Sequence, residues 1–315
     1  MSVIQKLTPL NLNDEKEKFF ADFTYNPQFS YAEVVTSAEL IRWGAPKSKL
    51  IEFSRAALQQ RPSLKIVRHP VENSFITDHC RQVIAEIGIT EEIEVVFEKQ
   101  KVTRCSVSGQ KISFKDPAEF TDLQELEGTL NHELQTHLLR NLNQQKQDWK
   151  LDRATYDAQI LRTEEGLAVL HSLLPLKDQT IWRPCAYYLA VALAQENGLA
   201  DMFAELVQFG FDHQFAWKLC TRTKRGQSDT SQPGGNTKDL CYLEGVIQMC
   251  RWIKDPENDP RQLYFGKIFI EELAQRLSTV KTSNVYLPTF LEDLESYRNI
   301  VTKIGNINHL ENAYE

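Results

Sequence analysis

The spacing of apolar residues along the chain predicts helices over most of its length. Ala32–Trp43 and Lys47–Leu58 carry apolar residues at helical intervals on either side of a Gly-Ala-Pro break, and Ile76–Ile87 ends at a glycine suited to capping a helix. The same spacing recurs in six later segments: Glu164–Leu174, Pro184–Gln195, Ala200–Phe209, Lys238–Ile253, Gln262–Leu277 and Leu287–Ile304. The sequence therefore predicts a helical N-terminal layer and a helical C-terminal half.

The chain between these helical regions has a different pattern. Ile93–Phe97, Cys105–Val107 and Lys111–Phe114 are short and rich in apolar residues, and the last two flank a Ser-Gly-Gln turn signal. We expect a small antiparallel sheet that includes a hairpin. Thr121 follows as a candidate N-cap, with a glutamine three residues later, and predicts a central helix that runs to about Asn141.

One polar, glycine-containing stretch, Thr221–Thr237, interrupts the C-terminal helices and is predicted to be the longest loop. No repeat or long linker forces a domain boundary. We therefore predict a single domain over 1–315, with the helical layer over 1–90, the sheet and its neighbouring helices over 91–178, and a helical subdomain over 179–315.

Composition and charge restrict the class of protein. Hydrophobic residues make up 42% of the chain and charged residues 25%, which is typical of a folded globular protein. The chain has no signal-peptide pattern and no apolar run of about 18 residues, so we expect a soluble, cytoplasmic protein without a membrane partner. The net charge of -7 argues against a nucleic-acid partner. Six dispersed cysteines without a CxxC pair predict reduced thiols.

Candidate chemistry lies on the central helix and in a segment that follows it. His132 and His137 flank Glu133 in an HExxxH pattern, and a later segment contains Glu164 and Glu165 in front of a glycine. A catalytic zinc ion takes three protein ligands from histidine and carboxylate and keeps a fourth position for water. Two histidines, a later glutamate and a further glutamate beside the first histidine supply the groups that metal-assisted hydrolysis needs.

The five-residue spacing is unusual for two histidines that bind one ion. On a straight α-helix it separates His132 and His137 by about 140°, whereas the four-residue spacing of HExxH gives about 40°. We therefore predict a π-turn between them, which would bring both rings to one side. The predicted fold is α+β and predominantly α-helical, with the small antiparallel sheet packed against a zincin-like metal helix.

Two histidines this close on a helix also arise by chance, without a metal. Glu133 favours the functional interpretation, because it lies beside an otherwise apolar stripe where an unpaired carboxylate would be costly. The acidic pair, Glu164 and Glu165, is expected at a helix start, where the helix dipole favours anions. His171 is predicted to be structural, because it lies about 120° around the helix from Glu165.

Several strings of the sequence resemble a known family. GTLNHELQTHLLRNLNQ, TEEGLAVLHSLL, TKRGQSDTSQPGGNTKDLCYLEG and YNPQFSYAE are similar to segments of the microtubule-associated tyrosine carboxypeptidases and their bacterial relatives, which are named for a QEGLA motif. The strings occur in the family's order, and the resemblance spans nearly the whole chain.

The resemblance implies a zinc-dependent carboxypeptidase in which His132 and His137 bind Zn²⁺ and Glu133 is the catalytic glutamate. The third ligand would come from the acidic pair. We choose Glu165 over Glu164 because it directly precedes the glycine, as the ligand does in the similar motif of other HExxH peptidases. Glu133 would accept a proton from the attacking water and pass it to the leaving amine. The expected substrate is a protein or peptide with a free C-terminus, with tyrosine as the candidate residue removed.

Basic residues near the predicted loop are candidates for binding the substrate. Arg222, Lys224 and Arg225 could hold a terminal carboxylate, although such a cluster is also common in solvated loops. Unranked candidates for an oxyanion donor are Tyr187, Tyr188 and Tyr242.

Three functions stay open at this point: a metallocarboxypeptidase, a zinc endopeptidase or aminopeptidase, and a non-peptidase binding protein on the same scaffold. The complete set of candidate ligands with an adjacent base disfavours the third, since a binding protein needs no such base. Tubulin is a weaker candidate partner than the resemblance alone implies, because a chain of net charge -7 is repelled by acidic tubulin tails.

Overall fold

The computed structural model describes residues 6–60, 67–101 and 103–313. It divides into two compact units, each built from two segments of the chain. The first unit contains the described residues of Met1–Leu64 and Ile181–Leu243, and the second contains those of Lys65–Thr180 and Glu244–Tyr314. Residues 1–5 and 61–66 of the predicted N-terminal layer lie outside the described residues. The assignment of the whole chain to one catalytic domain stays a prediction.

Helices dominate both units, which confirms the predominantly helical α+β class. In chain order they are α1 (Leu12–Ala21), α2 (Ser37–Ile41), α3 (Ser48–Gln59), α4 (Asn73–Ile87), α5 (Leu123–His132), α6 (Leu139–Gln145), α7 (Arg153–Leu173), α8 (Trp182–Ala194), α9 (Leu199–Gln208), α10 (His213–Lys224), α11 (Leu240–Lys254), α12 (Leu273–Arg276) and α13 (Leu294–Ile307). A π-helical turn, Glu133–Leu138, joins α5 directly to α6. Short 3-10 turns are Thr237–Asp239, Pro260–Tyr264, Ile270–Glu272, Thr289–Leu291 and Leu310–Ala313.

The strands form two small sheets in the second unit. They are β1 (His69–Pro70), β2 (Glu94–Glu98), β3 (Cys105–Ser108), β4 (Lys111–Lys115) and β5 (Glu119–Phe120). β3 and β4 form the predicted antiparallel hairpin, and β1 pairs antiparallel with β5. β2 joins the other edge of β4 in parallel, so the three-stranded sheet, with order β2-β4-β3, is mixed rather than wholly antiparallel.

The core of the second unit lies between this sheet and the central helix. Ile112 and Phe114 of β4 are fully buried against a stripe of leucines from α5 and the π-turn, among them Leu126, Leu130 and Leu134. Burying side chains of this size stabilises a fold by about 1.5–3 kcal/mol each. The two candidate histidine ligands are thus carried by a helical segment that packs against this core.

The first unit is helical and contains its own core. α3 packs along α8, and the aromatic rings of Phe19, Phe203 and Trp217 connect α1 with α9 and α10, with ring centroids 4.9–5.0 Å apart. The N-terminal signature string also contacts the glycine-rich string, because Thr230 Oγ1 donates to the Pro27 carbonyl at 2.7 Å. Two strings that carry the family resemblance therefore meet in space.

Three helices begin later than predicted, because a side chain caps each of them. α13 begins at Leu294 rather than Leu287 and is capped by Asp293. α2 begins at Ser37 rather than Ala32, since Thr36 and a glutamate three residues later form a capping box. α5 is capped by Asp122 rather than Thr121, and the Asp122 carboxylate accepts from the third backbone N–H of the helix at 2.9 Å. The observed bounds follow the true cap residues.

Two other predicted helices are wrong in extent. α7 begins at Arg153, capped by Asp152, so Glu164 lies in the helix interior and the helix-dipole explanation for the acidic pair is wrong. The predicted helix Gln262–Leu277 is instead two 3-10 turns and one short helix, interrupted at Gly266, whose φ of +116° is incompatible with a continuing helix.

Other sequence predictions agree with the structure. α3, α8 and α9 lie close to their predicted bounds, and Gly88 caps α4 with a φ of +76°. α10 was not predicted, and it reaches into the predicted loop as far as Lys224. All six cysteines are buried, and none forms a disulfide in the described part of the chain. Among the described helices, none combines the length and apolar character needed to cross a membrane.

Candidate metal centre

One candidate histidine ligand, His132, is the last residue of α5, and the other, His137, lies within the π-turn that joins α5 to α6. The turn extends over Glu133–Leu138, which confirms the local distortion predicted from the HExxxH spacing. The wider π geometry places the rings of His132 and His137 on the same side of the helix, with centroids 4.9 Å apart and planes at 75°. The turn therefore removes the geometric objection to a five-residue spacing.

The third candidate ligand comes from the interior of α7. His132, His137 and Glu165 each offer a ligand atom, and these atoms all lie within 4.8 Å of one another. His137 Nε2 is 3.8 Å from Glu165 Oε2, within the span of two zinc–ligand bonds of about 2.1 Å each. Two imidazoles and one carboxylate are the donor set of many catalytic zinc sites, so the residues present fit a zinc ion.

Glycines allow α7 to approach its neighbours in the second unit closely. A Cβ atom on Gly128 of α5 would lie 2.4 Å from the Ser172 carbonyl oxygen of α7. A Cβ atom on Gly166 of α7 would lie 2.3 Å from the backbone of Gly245 in α11. Both helix pairs therefore pack backbone against backbone. This approach brings Glu165 within reach of the histidines and accounts for the glycine that follows the acidic pair.

Glu164 faces a different set of groups from its neighbour Glu165. Its Oε1 is 2.9 Å from His137 Nδ1 and 3.0 Å from Lys267 Nζ, and its Oε2 accepts from Arg140 Nη1 at 2.6 Å. Because Nδ1 of His137 is directed to Glu164, Nε2 is the ring nitrogen that faces Glu165. A carboxylate that orients a ligand histidine in this way is a regular feature of metal sites.

The charges around Glu164 decide its protonation state. Burial alone would raise the pKa of Glu164, but the cationic Lys267 and Arg140 and the hydrogen bond with His137 lower the pKa well below its usual value. Burial also opposes a charge on His137, yet the hydrogen bond with Glu164 raises the pKa of that imidazole. Glu164 is therefore an ionised acceptor for the His137 Nδ1–H group.

The surroundings of His132 favour a neutral ring. Burial lowers the pKa of His132, although the nearby carboxylates of Glu133 and Glu165 oppose this shift. A lowered pKa favours the neutral imidazole, which is the form that binds a metal ion.

Glu133 is the first residue of the π-turn and is half-buried. It is close enough to His132 and His137 to act on the charge of both rings. Within the described residues its carboxylate has no hydrogen-bond or ion-pair partner, in contrast to Glu164. A carboxylate in this position is available to hold a proton during a reaction.

Other polar residues of the helix and its surroundings have structural roles. His171 is fully buried, with Nδ1 2.8 Å from Thr136 Oγ1 and Nε2 2.9 Å from the Tyr297 hydroxyl, which agrees with the predicted structural histidine. Gln135 is also buried, and its Oε1 accepts from the backbone N–H of Thr289 at 2.9 Å. Both side chains are thus engaged in hydrogen bonds within the protein.

Sequence reasoning missed the cations that surround Glu164. Arg140 carried a usable signal, because it is a basic residue one turn beyond His137 in an otherwise apolar stretch of the same helix. It is 1% exposed and also donates to the carbonyls of Leu263 and Ile268. Lys267 carried no local signal, since only the tertiary fold brings it to the site.

The predicted substrate-binding residue Lys224 lies in the first unit, at the end of α10. It is fully buried, and its ammonium group donates to the carbonyls of Asn197, Gln232 and Gly234 at 2.6–2.9 Å. All three N–H groups are used, so none is left for a substrate. Lys224 instead fastens the glycine-rich loop to the rest of its unit.

The two predicted arginines, in the same unit, differ from each other. Arg222 forms a bidentate ion pair with Asp239, donates to the Tyr242 hydroxyl at 3.1 Å and stacks on the ring of Tyr187. Arg225 Nη2 is 4.0 Å from Asp239, and its buried Nε has no hydrogen-bond partner among the described residues. Arg225 is therefore the predicted substrate-binding residue that keeps an unused donor.

The tyrosines considered as oxyanion donors also belong to the first unit. The hydroxyl of Tyr188 is buried and accepts from the backbone N–H of Lys47 at 2.7 Å, and that of Tyr242 accepts from Arg222. The ring of Tyr187 lies 5.5 Å from that of Tyr242. The assignment of an oxyanion donor stays open.

Comparison with known proteins gives one consistent result. A family model described as microtubule-associated tyrosine carboxypeptidase matches residues 44–309. The putative tyrosine carboxypeptidase MATCAP2 of Mus musculus is 29% identical over 328 residues, which cover 99% of this chain and 63% of the relative. Microtubule-associated tyrosine carboxypeptidase 1 is 30% identical in Mus musculus and 29% in Homo sapiens, covering 98% of this chain and 69% and 68% of the relatives. The chain therefore spans roughly two thirds of the length of these relatives.

Proposed function

The chain belongs to the microtubule-associated tyrosine carboxypeptidase family, and from this membership we propose that it is a zinc-dependent carboxypeptidase. It removes the C-terminal residue of a protein or peptide. The observation that carries the proposal is the convergence of His132, His137 and Glu165 within 4.8 Å on packed helices of one compact unit. Three ligands of this kind leave a coordination position open for chemistry.

Each residue of the site has a separate role in hydrolysis. His132, His137 and Glu165 would hold the zinc ion, which would supply Lewis acidity toward an attacking water and a scissile carbonyl. Glu133 accepts the proton that the water releases and delivers it to the leaving amine. Glu164 holds His137 in the ring orientation that directs Nε2 into the site.

The names of the relatives support tyrosine as the C-terminal residue that is removed. A free carboxylate at that residue needs a cationic partner, and a bidentate arginine suits it best. The predicted candidates for that partner, Arg222, Lys224 and Arg225, all lie in the first unit, and the assignment stays a prediction. Tubulin remains a proposed partner, because its tails are a class of protein C-terminus that ends in such a tyrosine.

Matched peptides test the proposal directly. Two peptides that end in tyrosine, one with a free and one with an amidated C-terminus, are incubated with the zinc-loaded protein and analysed by mass spectrometry. The free peptide is expected to lose one tyrosine and the amidated peptide to stay intact. Glu133→Gln should slow the reaction by about 10²–10⁴-fold while metal analysis still finds zinc.

Glu127→Gln is the matched control, because it makes the same chemical change in the helix before the π-turn, at a residue that is not a candidate ligand. It should leave the rate unchanged. Equal cleavage of both peptides would contradict a carboxypeptidase and favour an endopeptidase or aminopeptidase. A native protein that binds no zinc and cuts neither peptide would contradict the metallopeptidase proposal altogether.

A further inference from the structure

Side chains donate hydrogen bonds to two backbone carbonyls at the π-turn. An inserted residue disturbs the regular i to i−4 pairing of a helix, and buried carbonyls at the insertion need other donors. Thr136 Oγ1 donates to the Asn131 carbonyl at 2.7 Å, and the Tyr264 hydroxyl donates to the Gln135 carbonyl at 2.9 Å. Thr136 and Tyr264 are both almost completely buried. The turn therefore depends on donors that lie outside the set of candidate ligands.

Counting hydrogens fixes the state of the next residue in the network. Thr136 has one hydroxyl hydrogen, which is directed to Asn131, so its oxygen must accept from His171 Nδ1–H at 2.8 Å. Burial lowers the pKa of His171 well below its usual value, so its ring is neutral, and Nε2 carries no hydrogen and accepts from the Tyr297 hydroxyl at 2.9 Å. Both ring nitrogens are used by hydroxyl groups, and neither is available to a metal ion.

We propose that Thr136, His171 and Tyr297 form a positioning lock that holds the π-turn in its register and thereby sets the spacing of His132 and His137. The proposal rests on the metal site proposed above. The three residues touch neither the substrate nor the ion. They act through the backbone, because Thr136 directly precedes His137 in the chain.

The position of His171 on α7 strengthens this inference. Glu165 lies on the same helix, six residues earlier, which corresponds to about 9 Å along the axis. A second contact joins α5 to α7 at the same place, since Asn131 Nδ2 donates to the backbone carbonyl of His171 at 3.3 Å. One rigid helix thus supplies the third ligand and also anchors the turn that carries the other two.

Isosteric variants separate a positioning role from general stability. Thr136→Val and Tyr297→Phe each remove one hydroxyl from the lock while they keep the shape of the side chain. Ser54→Ala is the control, because Ser54 is also a buried helical residue whose hydroxyl donates to a carbonyl, that of Leu50 at 2.7 Å. Ser54 lies in the first unit, which holds none of the candidate metal ligands.

The measurements are the zinc dissociation constant by chelator competition, the visible absorption of the cobalt-substituted protein, and the Tm of the metal-free protein. Both lock variants should raise the zinc dissociation constant about 10-fold or more and change the cobalt spectrum. Ser54→Ala should lower Tm without either change. Zinc affinities and cobalt spectra that match the native protein in both lock variants would overturn the proposal, even if Tm falls.

A readout without metal keeps the lock distinguishable from the proposed function. A native protein that binds no zinc would overturn the proposed function. The ¹⁵N chemical shifts of the His171 ring and amide hydrogen exchange over 132–139 then decide the lock. A neutral ring with its hydrogen on Nδ1, together with faster exchange in Thr136→Val than in Ser54→Ala, supports it. A hydrogen on Nε2, a charged ring or unchanged exchange would overturn it.

Discussion

Two adjacent glutamates of α7 have opposite surroundings, although they differ by one position in the chain. Successive residues of an α-helix point about 100° apart, so both cannot face the same ion. Glu164 faces Arg140 and Lys267, and Glu165 is the carboxylate that joins the two histidines. The sequence alone left the choice between them close, because the cations that occupy Glu164 come from other parts of the chain.

Substitution of each glutamate tests this assignment. Glu165→Gln should abolish stoichiometric zinc binding, because it removes a candidate ligand. Glu164→Gln should raise the zinc dissociation constant by about 10–100-fold, because it weakens only the support of His137. Chelator competition measures both, with Glu127→Gln as the control. The reverse order of effects would show that Glu164 is the ligand.

Glu125, near the start of α5, predicts a pH dependence of stability in the second unit. It accepts from Arg68 Nη2 at 2.8 Å and from Arg104 Nη1 at 2.7 Å. Burial alone would raise the pKa of Glu125, but the two arginines and a backbone hydrogen bond lower it from 4.5 to about 2. Because the folded pKa is lowered, the carboxylate stabilises the fold fully above about pH 4.5, and this contribution is lost as pH falls toward 2.

Glu125→Gln should therefore lower the free energy of unfolding at neutral pH by about 3 kcal/mol. The difference between native protein and variant should shrink as pH falls from 4.5 to 2. Urea unfolding at a series of pH values measures it. Exposed Glu119→Gln serves as the control. A difference that stays constant with pH would contradict this account of the ion pairs.

At the scale of helices and strands, the close approach of α7 and α11 limits what can replace their glycines. Gly166→Ala would place a methyl group 2.3 Å from the backbone of Gly245, so the helices must separate. Overpacking of this kind costs about 1–3 kcal/mol, and the separation should also move Glu165 and weaken zinc binding. Thermal unfolding and zinc titration measure the two effects.

Gly305→Ala of α13 is the matched control for that helix crossing. Its new methyl group would meet the Cys250 side chain at 2.9 Å and the flexible end of Lys254, rather than a backbone. A smaller loss of stability and unchanged zinc affinity are expected. Equal losses of stability and zinc affinity in both variants would contradict the role assigned to the Gly166 contact.

Elements were predictable from sequence where one face of a helix is buried and the other is solvated. α3 and α9 have such a face and lie close to their predicted bounds. α7 is buried on several sides around the acidic pair, so its apolar residues show no single stripe and its start was placed too late. The π-turn was predictable because it follows from the identities of His132 and His137 and from the five-residue spacing between them.

At the scale of the whole molecule, charge predicts how the chain meets an acidic substrate. The net charge is -7, from 36 basic and 43 acidic residues. An acidic peptide that ends in tyrosine should be processed with a kcat/KM that rises as salt increases from about 10 mM to about 150 mM, because screening weakens repulsion. A neutral peptide with the same end is the control. A kcat/KM that falls with salt would instead indicate a basic surface that attracts the peptide.

The arrangement into two compact units was beyond the reach of sequence patterns. The two main segments of the first unit are separated by 116 residues, as in the hydrogen bond from Phe29 N to Ser228 O at 2.7 Å, and those of the second unit by 63 residues. Local periodicity holds no information on such pairs. The motif strings nevertheless indicated the candidate ligands. In the structure, the histidines and the acidic pair lie on adjacent helices of one unit.

The π-turn is, in genetic terms, an α-helix that carries one extra codon. In-frame deletion of a single residue between His132 and His137 would convert HExxxH to HExxH, whose rings lie about 40° apart on an ordinary helix. The insertion is absorbed within the turn, so the helical segments before and after it would keep their phases. This chain is therefore one three-nucleotide deletion away from the commoner arrangement of the same chemical groups.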